Sequence, residues 1–167
     1  MPREAEKDPH VYAEYLKERM YGLLTLMAVN VGLLVSASKI SVGYAAITIS
    51  VTAFGLWSAS MLASYLAYRV AHDAAMPRYR LGHEMMVHRG LLFAALPSLV
   101  MLVLAAVDWI TLATALLIDI VLAGFTLTLT VFRSAKTAHN SWRSASVIAL
   151  IQLSIVLMIV FIKSSAK

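Results

Sequence analysis

Residues 90–132, GLLFAALPSLVMLVLAAVDWITLATALLIDIVLAGFTLTLTVF, are 43 residues whose only charges are Asp108 and Asp119. About 20 apolar residues of helix cross a bilayer, so this stretch is too long for one crossing. It must turn, and Asp108–Trp109 is where a turn is expected, because tryptophan favours the headgroup layer. Two spans result, about 91–107 and 109–132. The rest of the chain reads in the same way. Of its 167 residues, 60% are hydrophobic and 14% charged, against about 45–50% and 25% in an ordinary soluble domain. The composition excludes a soluble domain and predicts an all-α, polytopic membrane helix bundle.

Towards the N-terminus, the polar stretch AHDAAMPRYRLGHEMMVHRG, residues 71–90, is expected to be a cytosolic loop. Before it come spans of about 20–37 and 41–70, separated only by Ser38, Lys39 and Ile40, so the two should be antiparallel neighbours. The second is overlong: a helix of roughly 30 residues reaches about 45 Å, more than the hydrocarbon thickness, so its tail should stand in water. Ala59, Ala63, Ala67, Ala71 and Ala75 repeat along it, a small-residue stripe that another helix can approach closely. Residues 1–19 form a charged tail. Asp8 and Pro9 suit a helix start, and Val11, Tyr12, Tyr15, Leu16 and Met20 then share a face. That pattern predicts a short amphipathic helix on the membrane surface, the alternative being a first span that extends into water.

Towards the C-terminus, a polar loop from Arg133 leads to a fifth span of about 141–162 and a short tail, 164–167, so the membrane domain covers 20–163. Eleven Lys and Arg fall in the N-terminal tail and the 2–3 and 4–5 loops, and three on the opposite side. By the positive-inside rule this places the N-terminus in the cytosol and the C-terminus outside. A bacterial-type cytoplasmic membrane is the expected setting, with no cleaved signal. The net charge of +5 is accordingly topology rather than nucleic-acid binding. The absence of cysteine excludes disulfides, thiolate metal sites and thiol nucleophiles. No phosphate-binding glycine loop or nucleophile elbow is present, so no enzyme is expected.

Asp119 is the one charge expected at mid-membrane, where a charged side chain is costly and marks a functional position by default. Gln152 and Asn30 are expected near the same depth, with Ser58, Ser60, Thr126, Thr128 and Thr130 as further oxygens. Two readings stand: a cation or proton site centred on Asp119, or a protonated Asp119 bonded to Gln152 that glues two helices together. In the loop, His83, Glu84 and His88 are a candidate set for a divalent metal ion. Arg78, Arg80 and Arg89 crowd the same stretch, oppose a cation there, and are candidates for lipid headgroup contact.

The order of parts resembles the vacuolar iron transporter family. Tyr15, Leu16 and Lys17 leading to Tyr21, Gly22 and Gly32 are similar to that family's first-helix entry, and Ser58–Ala67 resembles its second-helix segment at Ser60, Met61 and Ala63. Leu96 and Pro97 fall where a Leu-Pro opens the family's third helix, and Ser141 to Ser144 resemble its Trp-Arg-Ser before the fifth. The resemblance implies a five-span fold, a homodimer packed along helices 1 and 2, and Met61 as a pore methionine. The family's two metal-binding acids correspond to Thr25 and Tyr65 here, and losing two carboxylates weakens a site for a hard divalent cation. The expected function is a small transporter-like protein moving iron, manganese or protons, with Asp119, Gln152, Asn30, Met61 and Ser60 along the path. The alternative is a non-transporting subunit of a larger membrane complex.

Overall fold

The structure, a computed structural model, describes residues 9–137 together with 146, 147, 150 and 154. Four long helices make up nearly all of it: α1 (Pro9–Val35), α2 (Val42–His72), α3 (Arg78–Ala106) and α4 (Leu112–Thr137). Each contains a stretch long and apolar enough to cross a membrane, and together they make a multi-pass membrane protein. The expected fifth span, 141–162, lies outside the described residues, apart from those isolated positions.

The helix ends follow from local chemistry. Ser41, extended at φ −87° and ψ 159°, accepts the Tyr44 N–H with its hydroxyl and starts α2, a standard N-cap. Asp73 takes the left-handed conformation, φ 47°, and ends it. Pro77 then precedes the first residue of α3. At the other end of α3, Asp108 is left-handed (φ 58°), the Trp109 N–H reaches the Leu104 carbonyl at 3.1 Å, and the Asp108 N–H reaches that of Ala105 at 3.3 Å. This is a Schellman closure with aspartate where glycine is usual. The turn expected at Asp108–Trp109 is therefore present, and Thr111 caps α4 through its hydroxyl on the Thr114 N–H.

Two expectations are corrected. The stretch 71–90 is mostly not a loop: from Arg78 onward it is helix, continuous with the third span. Pro97 accordingly lies inside α3 rather than opening it. Nor do residues 9–19 form a separate surface helix, for α1 runs unbroken from Pro9 to Val35. The two corrections have one cause: the first turns of α3 give the start of α1 a partner. Glycine makes the approach close, since a Cβ on Gly90 would lie 3.0 Å from the Tyr15 carbonyl oxygen and one on Gly22 3.1 Å from Ala94 Cβ.

The core lies among α1, α3 and α4, where Leu23, Leu26, Met27, Ala94, Ala95, Leu116, Ile120 and Leu127 are buried together; α2 adds Ala45, Ile49 and Ala53. Although joined tightly to α1, α2 makes its wider contact with α3. Its small-residue stripe does not receive a helix among the described residues: Ala59, Ala63, Ala67, Ala71 and Ala75 are exposed.

Candidate functional site

Two polar clusters sit on the α1–α3 seam. The deeper one is centred on Asp119, 2% exposed. One of its carboxylate oxygens, Oδ2, accepts from the Asn30 side-chain amide of α1 and from the Ser98 hydroxyl of α3, the latter at 2.6 Å. The Asn30 amide also donates to Ser98 Oγ at 3.3 Å. Three helices thus contribute one polar side chain each to one layer. The amide oxygen of Asn30 is buried and has no hydrogen-bond partner among the described residues. A narrow cavity of about 30 Å³ adjoins the layer, bordered by Asn30, Ser98, Asp119, Phe93, Pro97 and Thr126, and by Arg19, about three turns nearer the N-terminus of α1, whose Nε is buried without a partner among the described residues.

The second cluster surrounds His88, whose side chain is 5% exposed. Nδ1 lies 3.0 Å from Ser60 Oγ and 3.6 Å from Glu18 Oε2; Nε2 lies 3.0 Å from Ser64 Oγ and 3.3 Å from Glu84 Oε2. Ser60 has one hydroxyl proton, which it donates to Glu18 at 3.2 Å, so towards His88 its oxygen accepts and Nδ1 carries the hydrogen. The imidazole is clamped between carboxylates and hydroxyls from α1, α2 and α3. Beside it opens a groove of about 530 Å³, whose walls include Glu14, Lys17, Ala63, Ala67, Tyr68 and Arg80.

The structure brings Asp119 and Asn30 together as expected. Gln152, expected in the same layer, lies outside the described residues. Ser60 does not belong to that layer: it serves His88. Thr126, Thr128 and Thr130 donate to the carbonyls of Leu122, Gly124 and Thr126 one turn back in their own helix, the ordinary resolution for a hydroxyl in a span. Met61 is half-buried on α2 and borders neither the Asp119 cavity nor the His88 groove.

The His83, Glu84 and His88 set is also corrected. Glu84 and His88, four apart, do meet, but His83 does not border the His88 groove; it lines a neighbouring one with Tyr79, Met86 and Glu84. The two carboxylates approach His88 at opposite ring nitrogens and do not converge on one point. Among the described residues no group of three or more His, Asp or Glu has metal-holding geometry. Of the arginines, Arg78 is exposed, Arg80 lies over the Tyr68 ring at 5.0 Å and Arg89 over that of Tyr15 at 5.9 Å. Sequence reasoning missed Ser98, Glu18 and Ser64. Nothing but their register against Asp119 and His88 marks them, and register between helices is not written along a single chain.

No protein family, no characterised protein and no solved structure matches this chain.

Proposed function

We propose that this protein is a small multi-pass membrane carrier in which Asp119 holds the exchangeable charge, a proton or a small cation. One observation carries the reading: the carboxyl group is buried inside a membrane bundle and, among the described residues, meets neutral donors only, with no ion pair. An anion so placed costs several kcal/mol unless a positive charge neutralises it. Lysine or arginine in an ion pair would do so permanently; among the described residues none is paired with Asp119, although Arg19 borders the adjoining cavity, which leaves the position to something that comes and goes. A single carboxylate in the layer suits one unit of charge better than a divalent iron or manganese ion, which gathers several anionic oxygens.

The architecture that goes with this reading has five spans, the N-terminus in the cytosol and the C-terminus outside, in keeping with the distribution of Lys and Arg. The kinship with vacuolar iron transporters extends to the order of helices more than to the cargo. Thr25, at one of the family's acidic positions, donates its hydroxyl to its own helix at Tyr21, and Tyr65 stands at the other. The test is flux into liposomes carrying the pure protein, read with proton- and metal-sensitive dyes. Wild type is expected to move protons or a cation and Asp119→Asn to stop it with the fold kept, because the amide oxygen still accepts from Asn30 and Ser98. A wild-type protein that moves nothing under any ion gradient sinks the proposal.

One observation favours the accessory-subunit reading. The apolar window of α2 is only 17% buried against 39% for α1 and α3, and Tyr44, Ile47, Val51 and Phe54 project from it. A homodimer or a larger complex would cover this face, and stoichiometric recovery with other chains from native membrane, together with no flux, would establish that role.

A further inference from the structure

We infer that Arg19 is the centre of a binding site for the phosphodiester of an anionic phospholipid, on the surface of the α1–α3 seam at the headgroup level. The inference is independent of what Asp119 carries.

Arg19 is a cation without a counter-charge. It is half-buried, its Nε is enclosed without an acceptor, and no carboxylate among the described residues pairs with it. The neighbouring acids of α1 serve the other side of the helix: Glu18 accepts from Ser60 beside His88, and Glu14 borders the His88 groove. Asp119 borders the far end of the cavity that Arg19 borders, but its partner Asn30 stands about 16 Å further along α1 at 1.5 Å per residue, beyond the reach of an arginine side chain. Residues 138–167 contain no Asp or Glu, and Glu4, Glu6 and Asp8 precede an α1 whose first residue is itself about 15 Å from Arg19. Half-burying a permanent cation unpaired is costly, so the position calls for an anion from outside the chain.

The surroundings say which anion. Gly90 packs against α1 here, since a Cβ on it would lie 3.2 Å from the Arg19 backbone nitrogen, so the adjacent Arg89 stands at the same level. Arg89 lies over the Tyr15 ring at 5.9 Å and borders a cavity of about 80 Å³ with Tyr12 and Met86. Phe93, one turn further along α3, borders the Arg19 cavity with Leu23 and Leu122, and Phe93 and Leu122 are exposed. Two arginines at the polar end of the spans, above exposed apolar side chains, match a phosphate above acyl chains. The planar guanidinium bonds phosphate oxygens in pairs. The phosphate rests on the surface of the seam, the 30 Å³ cavity being too small to enclose it. A zwitterionic headgroup would bring an ammonium to two arginines, which favours an anionic lipid.

The experiment is the melting temperature of the full chain in detergent micelles doped with phosphatidylglycerol, with phosphatidylcholine, or with inorganic phosphate in the buffer, at constant ionic strength and pH. A ligand that binds only the folded form raises it in a saturable way. The expected result is a saturable rise with phosphatidylglycerol that is absent with the other two. Arg19→Gln should raise the half-saturating lipid fraction roughly tenfold, and Arg19→Lys, which keeps the charge and loses the fork, by several-fold; the second variant decides the matter if the first does not fold. Lys17→Gln removes an equal charge two residues away, from a side chain that pairs with Glu18, and should leave the titration unchanged. Equal responses to the two lipids overturn the inference, as does an Arg19 variant that titrates like wild type or a Lys17→Gln that weakens binding as much. A rise of the same size with inorganic phosphate would show a free-anion site and overturn the assignment to lipid.

Discussion

Asp119 is satisfied by side chains from two other helices, so its replacements should rank by what they leave unpaired. Asp119→Asn keeps an acceptor oxygen for Asn30 and Ser98. Asp119→Leu strands both, and should lower stability further. Interhelical hydrogen bonds in membranes average about 0.6 kcal/mol and reach about 1.7, so a deficit of about 1–3 kcal/mol for Leu relative to Asn is expected, read as a lower unfolding midpoint in detergent. His88 is the second residue of this kind. Removing the ring in His88→Ala deprives Ser60 and Ser64 of their partner and opens a void between Glu18 and Glu84, at an expected cost of about 1–3 kcal/mol. His88→Gln, which retains a donor and an acceptor, should recover part of it. Asp119 stood out in the sequence because a lone acid in a long apolar run has no soluble explanation. Ser98 did not, since serine is common throughout these spans.

Among the elements, α1 and α3 are held together by closeness rather than by bulk. A side chain at Gly90 would run into the backbone of α1 at Tyr15 and Arg19, whereas one at Gly32 would meet nothing within 4 Å. Gly90→Ala should therefore destabilise the protein by about 1–3 kcal/mol through overpacking. Gly32→Ala should be neutral or slightly stabilising, because alanine is the better helix former. Unfolding midpoints of the two single variants check the contrast; equal values would mean that the helices separate at no cost. The same seam explains why residues 78–90 are helical despite their charge. Glu84 and His88 turn inward to a partner on α1 and α2, a tertiary arrangement that overrides what a polar composition suggests about a loop.

At the scale of the whole molecule, the four helices return the chain after each pair to the side on which it began, so the start of α1, the α2–α3 connection and the end of α4 share one side of the membrane. The chain has no native cysteine, so single introduced cysteines report topology without background. Lys39→Cys and Trp109→Cys should react with a membrane-impermeant thiol reagent in intact cells, and Ala74→Cys only after the membrane is opened. Lys167→Cys should label from outside if a fifth span follows α4. Labelling of Ala74→Cys in intact cells would invert the orientation, and with it the argument from Lys and Arg.

The membrane class, the four described spans, the turn at Asp108–Trp109 and the burial of Asp119 were all determined by the chain itself. Each follows from a local property: the transfer cost of apolar and charged side chains, the bilayer's thickness, and the headgroup preference of tryptophan. The partners were decided only by tertiary structure. That Asn30 meets Ser98 and Asp119, that Ser60 serves His88 instead, that α2 lies against α3 more than against α1, and that His83 stays outside the His88 groove all depend on how helices rotate and slide against one another. Close packing at glycines and the pairing of buried polar groups set that register, and both are properties of surfaces in contact rather than of any one segment.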